Sequence, residues 1–231
     1  MNLSPAASLL LWVVSSILAG LAARGLVARS TALRTLVSAG LGRLLAELAL
    51  LAYFVGWPLL ALFNGALSAD LIGLGRIGVI DAGLILGFAM RDWLRQAATA
   101  GLAVGFALIV AWLTKRTTTP DEARAELPAG LAWRDAVYAE FHWAFCRAPF
   151  ILLVGDAYWG ALAGLALVLA EWRWLGWPPS SRGPAGQFVQ LCCAFVSALL
   201  CAIAHNFWLA VVAQFVIRRY WPGASAQEAL G

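Results

Sequence analysis

Long apolar runs separated by short basic connectors constrain this chain more than any other feature. They cover residues 6–23, 44–63, 97–113, 136–154, 158–175 and 187–217. Each is close to the roughly 20 residues that a helix needs to cross a bilayer, and the last is long enough to be divided. Only 12% of the 231 residues are charged and 62% are hydrophobic, with a mean hydropathy of +0.82. A water-soluble domain carries about a quarter charged residues. The expected fold is therefore all-α, a polytopic transmembrane helical bundle of seven to eight membrane segments. It reads as a single membrane domain, 1–231. N-terminal helices fill 1–113, a connector 114–135, a helical core 136–220 and a short C-terminal tail 221–231. The first apolar run precedes its basic residues, so it reads as a retained span rather than a cleaved secretory signal.

Charge placement supplies an orientation. The chain has 16 Lys and Arg against 12 Asp and Glu, and the positives are scattered between apolar runs. That argues against nucleic acid as a partner and makes them topology signals. Residues 71–90 are apolar, yet carry Arg76, Asp81 and glycines at 73, 75, 78, 83 and 87. If this segment does not fully cross and the N-terminus is outside, 12 of the 16 positives fall inside. Arg91 and Arg95 fall outside, while Arg76 and Arg147 lie within hydrophobic segments. The positive-inside rule thus favours seven crossings plus one re-entrant or surface-lying segment in a bacterial cytoplasmic membrane. Most of the 12 tryptophans fall at predicted span ends, where amphipathic rings settle. Trp143 and Trp208 instead adjoin polar residues and are expected to wall a cavity. Glu47, near the start of the second span, is expected at the interface or paired with Arg43.

Two glycine patterns need a decision. Gly73-x-Gly75-x-x-Gly78 matches a dinucleotide-binding string but lacks the strand before it and the crossover helix after it. Packing glycines are the better reading, with Gly83-x-x-x-Gly87 and Gly101-x-x-x-Gly105 as close-approach faces. Cys146, Cys192, Cys193 and Cys201 all lie in apolar segments without metal-ligand spacing, so they read as buried free thiols. No metal and no cofactor is expected.

Ionisable residues at membrane depth are costly and invite a functional reading. They gather at Glu140, His142, Arg147 and Glu171, with Pro149 freeing a backbone carbonyl nearby. Glu140 and Arg147, seven residues apart, share a helix face but are spaced too widely for an easy direct pair. A hydrolytic site would use the glutamate as base for water, with His or Asn donors for the oxyanion. A structural arrangement would keep Glu140 at the interface and pair Arg147 with Glu171 or Asp156. Further on, His205-Asn206 interrupts the last apolar run, where Asn206 could cap a second short helix.

The segments Glu140-Phe-His-Trp-Ala-Phe-Cys-Arg147, Leu167-Val-Leu-Ala-Glu171 and His205-Asn-Phe-Trp-Leu-Ala-Val-Val-Ala-Gln214 resemble the CPBP (CAAX-prenyl-protease-like) intramembrane proteases. The resemblance covers about residues 136–220. Family members carry Glu-Glu-x-x-x-Arg, then Phe-x-x-x-His, then His-x-x-x-Asn, and cut substrates within the membrane with a glutamate proposed to activate water. It implies Glu140 as the base, Arg147 as its orienting partner and Glu171 as support. His142, His205 and Asn206 would polarise the scissile carbonyl. Anchored on Arg147 without a gap, however, the two family glutamates fall on His142 and Trp143. The Phe-x-x-x-His positions fall on Leu167 and Glu171, and the last motif on Gln214 and Arg218. Beside the lipid bilayer, the implied partner is a membrane-embedded peptide substrate. The alternative is a catalytically inactive accessory or scaffold protein that meets other membrane-protein subunits.

Overall fold

Seven helical columns build the chain, described in this computed structural model over residues 4–30, 40–75, 84–85, 88–115, 128–176 and 183–220. They are α1, Pro5–Arg29; α2, made of Gly40–Leu51, a π-helical turn Ala52–Gly56 and Trp57–Phe63; and α3, Met90–Lys115. The core follows as α4, Ala129–Val154; α5, Ala157–Leu175; α6, Gly183–Ala204; and α7, Phe207–Tyr220. The other ordered pairing is a two-residue antiparallel ladder, β1 Leu84–Ile85 with β2 Phe88–Ala89. Arg76, Asp81, Gly78, Gly83 and Gly87, most of the 114–135 connector and the 221–231 tail lie outside the described residues.

Local chemistry sets the helix ends. Ser4 accepts the Ala7 N–H at 3.2 Å, with Pro5 opening α1, which supplies one of the acceptors that a helix start lacks. Between α4 and α5, Gly155 turns at φ 70° and Asp156 accepts the Trp159 N–H at 2.9 Å. Asp156 is therefore an N-cap and not a partner of Arg147. Asn206 caps α7 as expected, accepting from Trp208 and Leu209 at 3.1 and 3.3 Å. His205 beside it sits at φ 47°, which breaks α6 from α7. α4 begins at Ala129, so the helix extends further towards the connector than the apolar run from 136 suggested.

Close backbone approach joins α4 to α5. A Cβ at Gly164 would lie 2.6 Å from the Arg147 Cα, and one at Gly160 would lie 2.7 Å from the Ile151 Cα. These glycines, four residues apart, are the small-residue face that lets two helices touch in a membrane. The Gly101/Gly105 pair is not one: nothing lies within 4 Å of a Cβ at either. The reason is position, since α3 packs on the bundle elsewhere and turns Leu102 and Phe106 outward.

The columns alternate in direction. Arg147–Gly164 and Ile151–Gly160 make α4 and α5 antiparallel. Phe141 on Phe207 and Trp133 on Phe215, ring centroids 4.8 and 5.6 Å apart, make α4 and α7 antiparallel as well. Arg24 donates to the Trp174 carbonyl at 2.9 Å, tying the end of α1 to the end of α5. Arg24, Arg29, Arg134, Arg173, Arg218 and Arg219 therefore share one end of the bundle, while Arg91 and Arg95 begin α3 at the other. At that second end Gly73 accepts the Phe207 N–H at 2.8 Å, and Asn206 donates to Gln96 at 2.8 Å. Residues 64–75 and the start of α3 thus lie at this same end.

Among the described residues five helices are long and apolar enough to cross a membrane: Pro5–Arg29, Leu44–Phe63, Met90–Val110, Ala129–Val154 and Gly186–Ala204. The chain is thereby an integral membrane protein of helical class. α5 is diluted by Glu171 and Arg173, and α7 has only 14 residues.

The α4–α5 contact makes a direct prediction. Gly164→Ala forces the two backbones apart and should cost about 1–3 kcal/mol, whereas Gly101→Ala should be neutral or slightly stabilising. Thermal unfolding of the two variants in detergent micelles checks the contrast.

Candidate functional site

At about 100° per residue, Glu140 and Arg147 leave α4 on one side and His142 leaves almost opposite. The structure accordingly builds two separate buried clusters, one on each face of α4. The first centres on Glu140, which is 1% exposed. Its Oε1 accepts from Arg147 Nη2 at 2.5 Å. Its Oε2 accepts from Ser197 Oγ at 2.5 Å and from Gln214 Nε2 at 2.7 Å. Arg147, 3% exposed, also reaches Ser197 Oγ through Nη1 at 2.6 Å. α4, α6 and α7 are clamped together at one point.

The direct Glu140–Arg147 pair corrects the expectation that seven residues were too far along the axis. Side chains on a helix lean toward its N-terminus, so the long arginine reaches back two turns to the carboxylate. Arg147 pairs with neither Glu171 nor Asp156.

The second cluster holds His142, Glu171, Cys146 and Tyr53. His142 Nε2 and Glu171 Oε2 are 2.7 Å apart, and Tyr53 donates its hydroxyl to Glu171 Oε1 at 2.7 Å. Cys146 Sγ lies 3.7 Å from His142 Nε2. Tyr53 comes from the π-helical turn of α2, with Phe54 beside it, and both rings lie about 5 Å from the imidazole. His142 Nδ1 is buried without a hydrogen-bond partner. Donor atoms of His142, Cys146 and Glu171 fall within 4.8 Å of one another, the one grouping among the described residues that could hold a metal ion. The histidine–glutamate contact and the tyrosine already satisfy the carboxylate.

His205 and Asn206 join neither cluster. His205 Nε2 bonds the Asp70 carbonyl at 2.8 Å, and Asn206 is occupied by its capping and by Gln96. Their job is at the α6–α7 junction, where Gly73 (φ 75°) packs so closely that a Cβ would lie 2.9 Å from the His205 carbonyl oxygen. That explains the glycine that began the dinucleotide-like string. The six residues expected to converge thus occupy three places.

Sequence reasoning missed Tyr53 and Ser197. Each is a lone hydroxyl in an apolar run, and the signal available was that such a group at membrane depth needs a partner across helices. Glu47 pairs with Arg134 at 2.7 Å, from a helix remote in sequence. The cysteines are free, with Cys146, Cys193 and Cys201 buried.

Two cavities adjoin these elements. A void of about 10 Å³ touches Arg147 between Gly164, Val168 and Ala198, room for one water at most. A half-open cavity of about 70 Å³ lies at the arginine-rich end, walled by Trp143 as expected of that residue. Neither is lined by Glu140, His142 or Glu171.

No protein-family model, no curated protein and no solved structure matches this chain.

Breaking one partner of a buried pair costs about 3–5 kcal/mol because the other charge is left uncompensated. Glu140→Gln and Arg147→Met should each destabilise to that extent. Glu140→Gln combined with Arg147→Met should be milder than either single change. Thermal unfolding of the three variants measures the coupling.

Proposed function

We propose that this chain is a non-hydrolytic relative of the CPBP-like intramembrane proteases, acting as an accessory or scaffold subunit within a larger membrane complex. The observation that carries this is the closure of Glu140. Both of its oxygens are engaged by Arg147, Ser197 and Gln214 at 1% exposure. A base that activates water needs an oxygen within reach of that water. Here three donors already take that role, and they come from three helices that must stay together.

The lineage has its own support. Aligned on Arg147, the family's glutamate and histidine positions are His142 and Glu171, and those two side chains touch at 2.7 Å. On this reading the acid and the imidazole have changed places between α4 and α5. Gln214, at the last histidine position, reaches Glu140. We infer seven crossings, one for each column, with 71–90 returning to its own side and the arginine-rich end facing the cytoplasm. The charge split between the two ends supports that orientation.

One specific feature favours hydrolysis as the second reading: a carboxylate-oriented imidazole at His142 is the arrangement of a general base. The test is cleavage of membrane-spanning peptide reporters by the purified protein in liposomes. No cleavage is expected, while His142→Ala and Glu171→Gln should lower the unfolding temperature. Cleavage by the wild type that His142→Ala abolishes, with folding intact, would overturn the reading.

A further inference from the structure

The cavity at the arginine-rich end contains a buried cation with no counter-ion among the described residues. Arg218 is 5% exposed. Among the described residues its one hydrogen bond is a long one, 3.4 Å from Nη2 to Gln214 Oε1, and its Nε has no partner. Guanidinium groups buried in this way call for an anion, and their planar fork suits a phosphate or carboxylate. Gln190, also buried, lines the same cavity.

Two carboxylates line the same cavity. Glu47 and Asp135 both bond Arg134, through Oε2 and Oδ1 respectively, leaving one oxygen on each without a partner among the described residues. Arg134 also lies 5.9 Å over the Tyr138 ring. Among the described lining residues two guanidinium groups and two carboxylates cancel, leaving no net formal charge. Its unmet needs are one anion at Arg218 and one donor-bearing cation at Glu47 and Asp135. A zwitterion meets both, and a purely anionic ligand meets only the first.

The surroundings select among zwitterions. Leu50 and Phe54 of α2 complete the wall, and the membrane-length part of α2 is only 11% buried within the bundle. Its Leu44, Leu45, Leu48 and Leu51, on the same helix as the lining residues Glu47 and Leu50, are exposed. A molecule seated in the cavity therefore has an apolar, lipid-facing surface along which acyl chains can run.

We propose that this cavity binds the head group of an ethanolamine phospholipid, phosphate against Arg218 and Gln190, ammonium against Glu47 and Asp135. Basic pockets between transmembrane helices are known lodging places for lipid head groups. This one adds acidic oxygens that a primary ammonium satisfies and a trimethylated one, with no N–H, does not. Through Gln214 the phosphate site is one side chain from Glu140, so an occupied pocket braces the clamp in the core.

The full-length protein, delipidated in mild detergent, is titrated with phosphatidylethanolamine, phosphatidylcholine and phosphatidylglycerol of matched chains and read by native mass spectrometry. Phosphatidylethanolamine should be retained about tenfold more tightly than the other two, the loss expected for one charge-assisted contact. Arg218→Gln should lower retention of all three. Glu47→Gln alters a side chain that is 45% exposed, so folding is preserved; it should lower the preference for ethanolamine over choline. Equal retention of the three lipids, or an unchanged preference in Glu47→Gln, overturns the proposal. So does displacement of bound lipid by glycerophosphoethanolamine at the lipid's own affinity, which would make the site one for a soluble zwitterion.

Discussion

A charge held at membrane depth must find its partner inside the protein, and one carboxylate meets that demand for much of this bundle. Unpaired, Glu140 would face a large desolvation cost. Paired, it gathers a guanidinium from its own helix, a hydroxyl from α6 and an amide from α7. Lipid tails are as apolar as leucine, so helices in a membrane gain little from burying leucine against leucine. Polar contacts and close backbone packing carry more of the specificity. Here the two coincide, because Arg147 lies where α5 comes nearest α4.

α4 is the axis on which both kinds of contact are arranged. Its glutamate face holds α6 and α7, its histidine face holds α5 and α2, and its glycine-facing side lets α5 approach. The outer columns are different in kind. α2 and α3 present long apolar side chains outward and are only 11% buried over their membrane-length windows. Buried polar groups gather instead in the core and in the cavity between α2 and the core.

The sequence carried class and direction well, and side-chain partnership poorly. Apolar run length and the scarcity of charge state the helical membrane class outright, and the distribution of arginines anticipates the two ends of the bundle. Glu140, Arg147 and Glu171 were recognisable as consequential because ionisable residues are rare in such runs. Which of them meet was not legible. The reach of an arginine back along its own helix defeated a judgement made on residue spacing, and Ser197 and Tyr53 carry no local mark distinguishing them from other hydroxyls in apolar helices. His205 and Asn206 stand out in a hydrophobic run for a reason that is structural: a helix break needs a cap. Gly160 and Gly164 show the converse, since the same spacing at Gly101 and Gly105 meets nothing.

The polar core is closed to water, with Glu140, His142 and Glu171 all buried. Cys146 reports on it without any mutation, sitting buried 3.7 Å from His142 in the second cluster. The protein in liposomes is exposed to a charged, membrane-impermeant thiol reagent from both sides, and the modified cysteines are located by mass spectrometry. Cys146 should stay unmodified in the folded protein and react fully once the protein is unfolded in strong detergent. Modification of Cys146 in the folded protein at a rate near that of the unfolded chain would mean an aqueous path to His142 and Glu171, and would contradict a closed core.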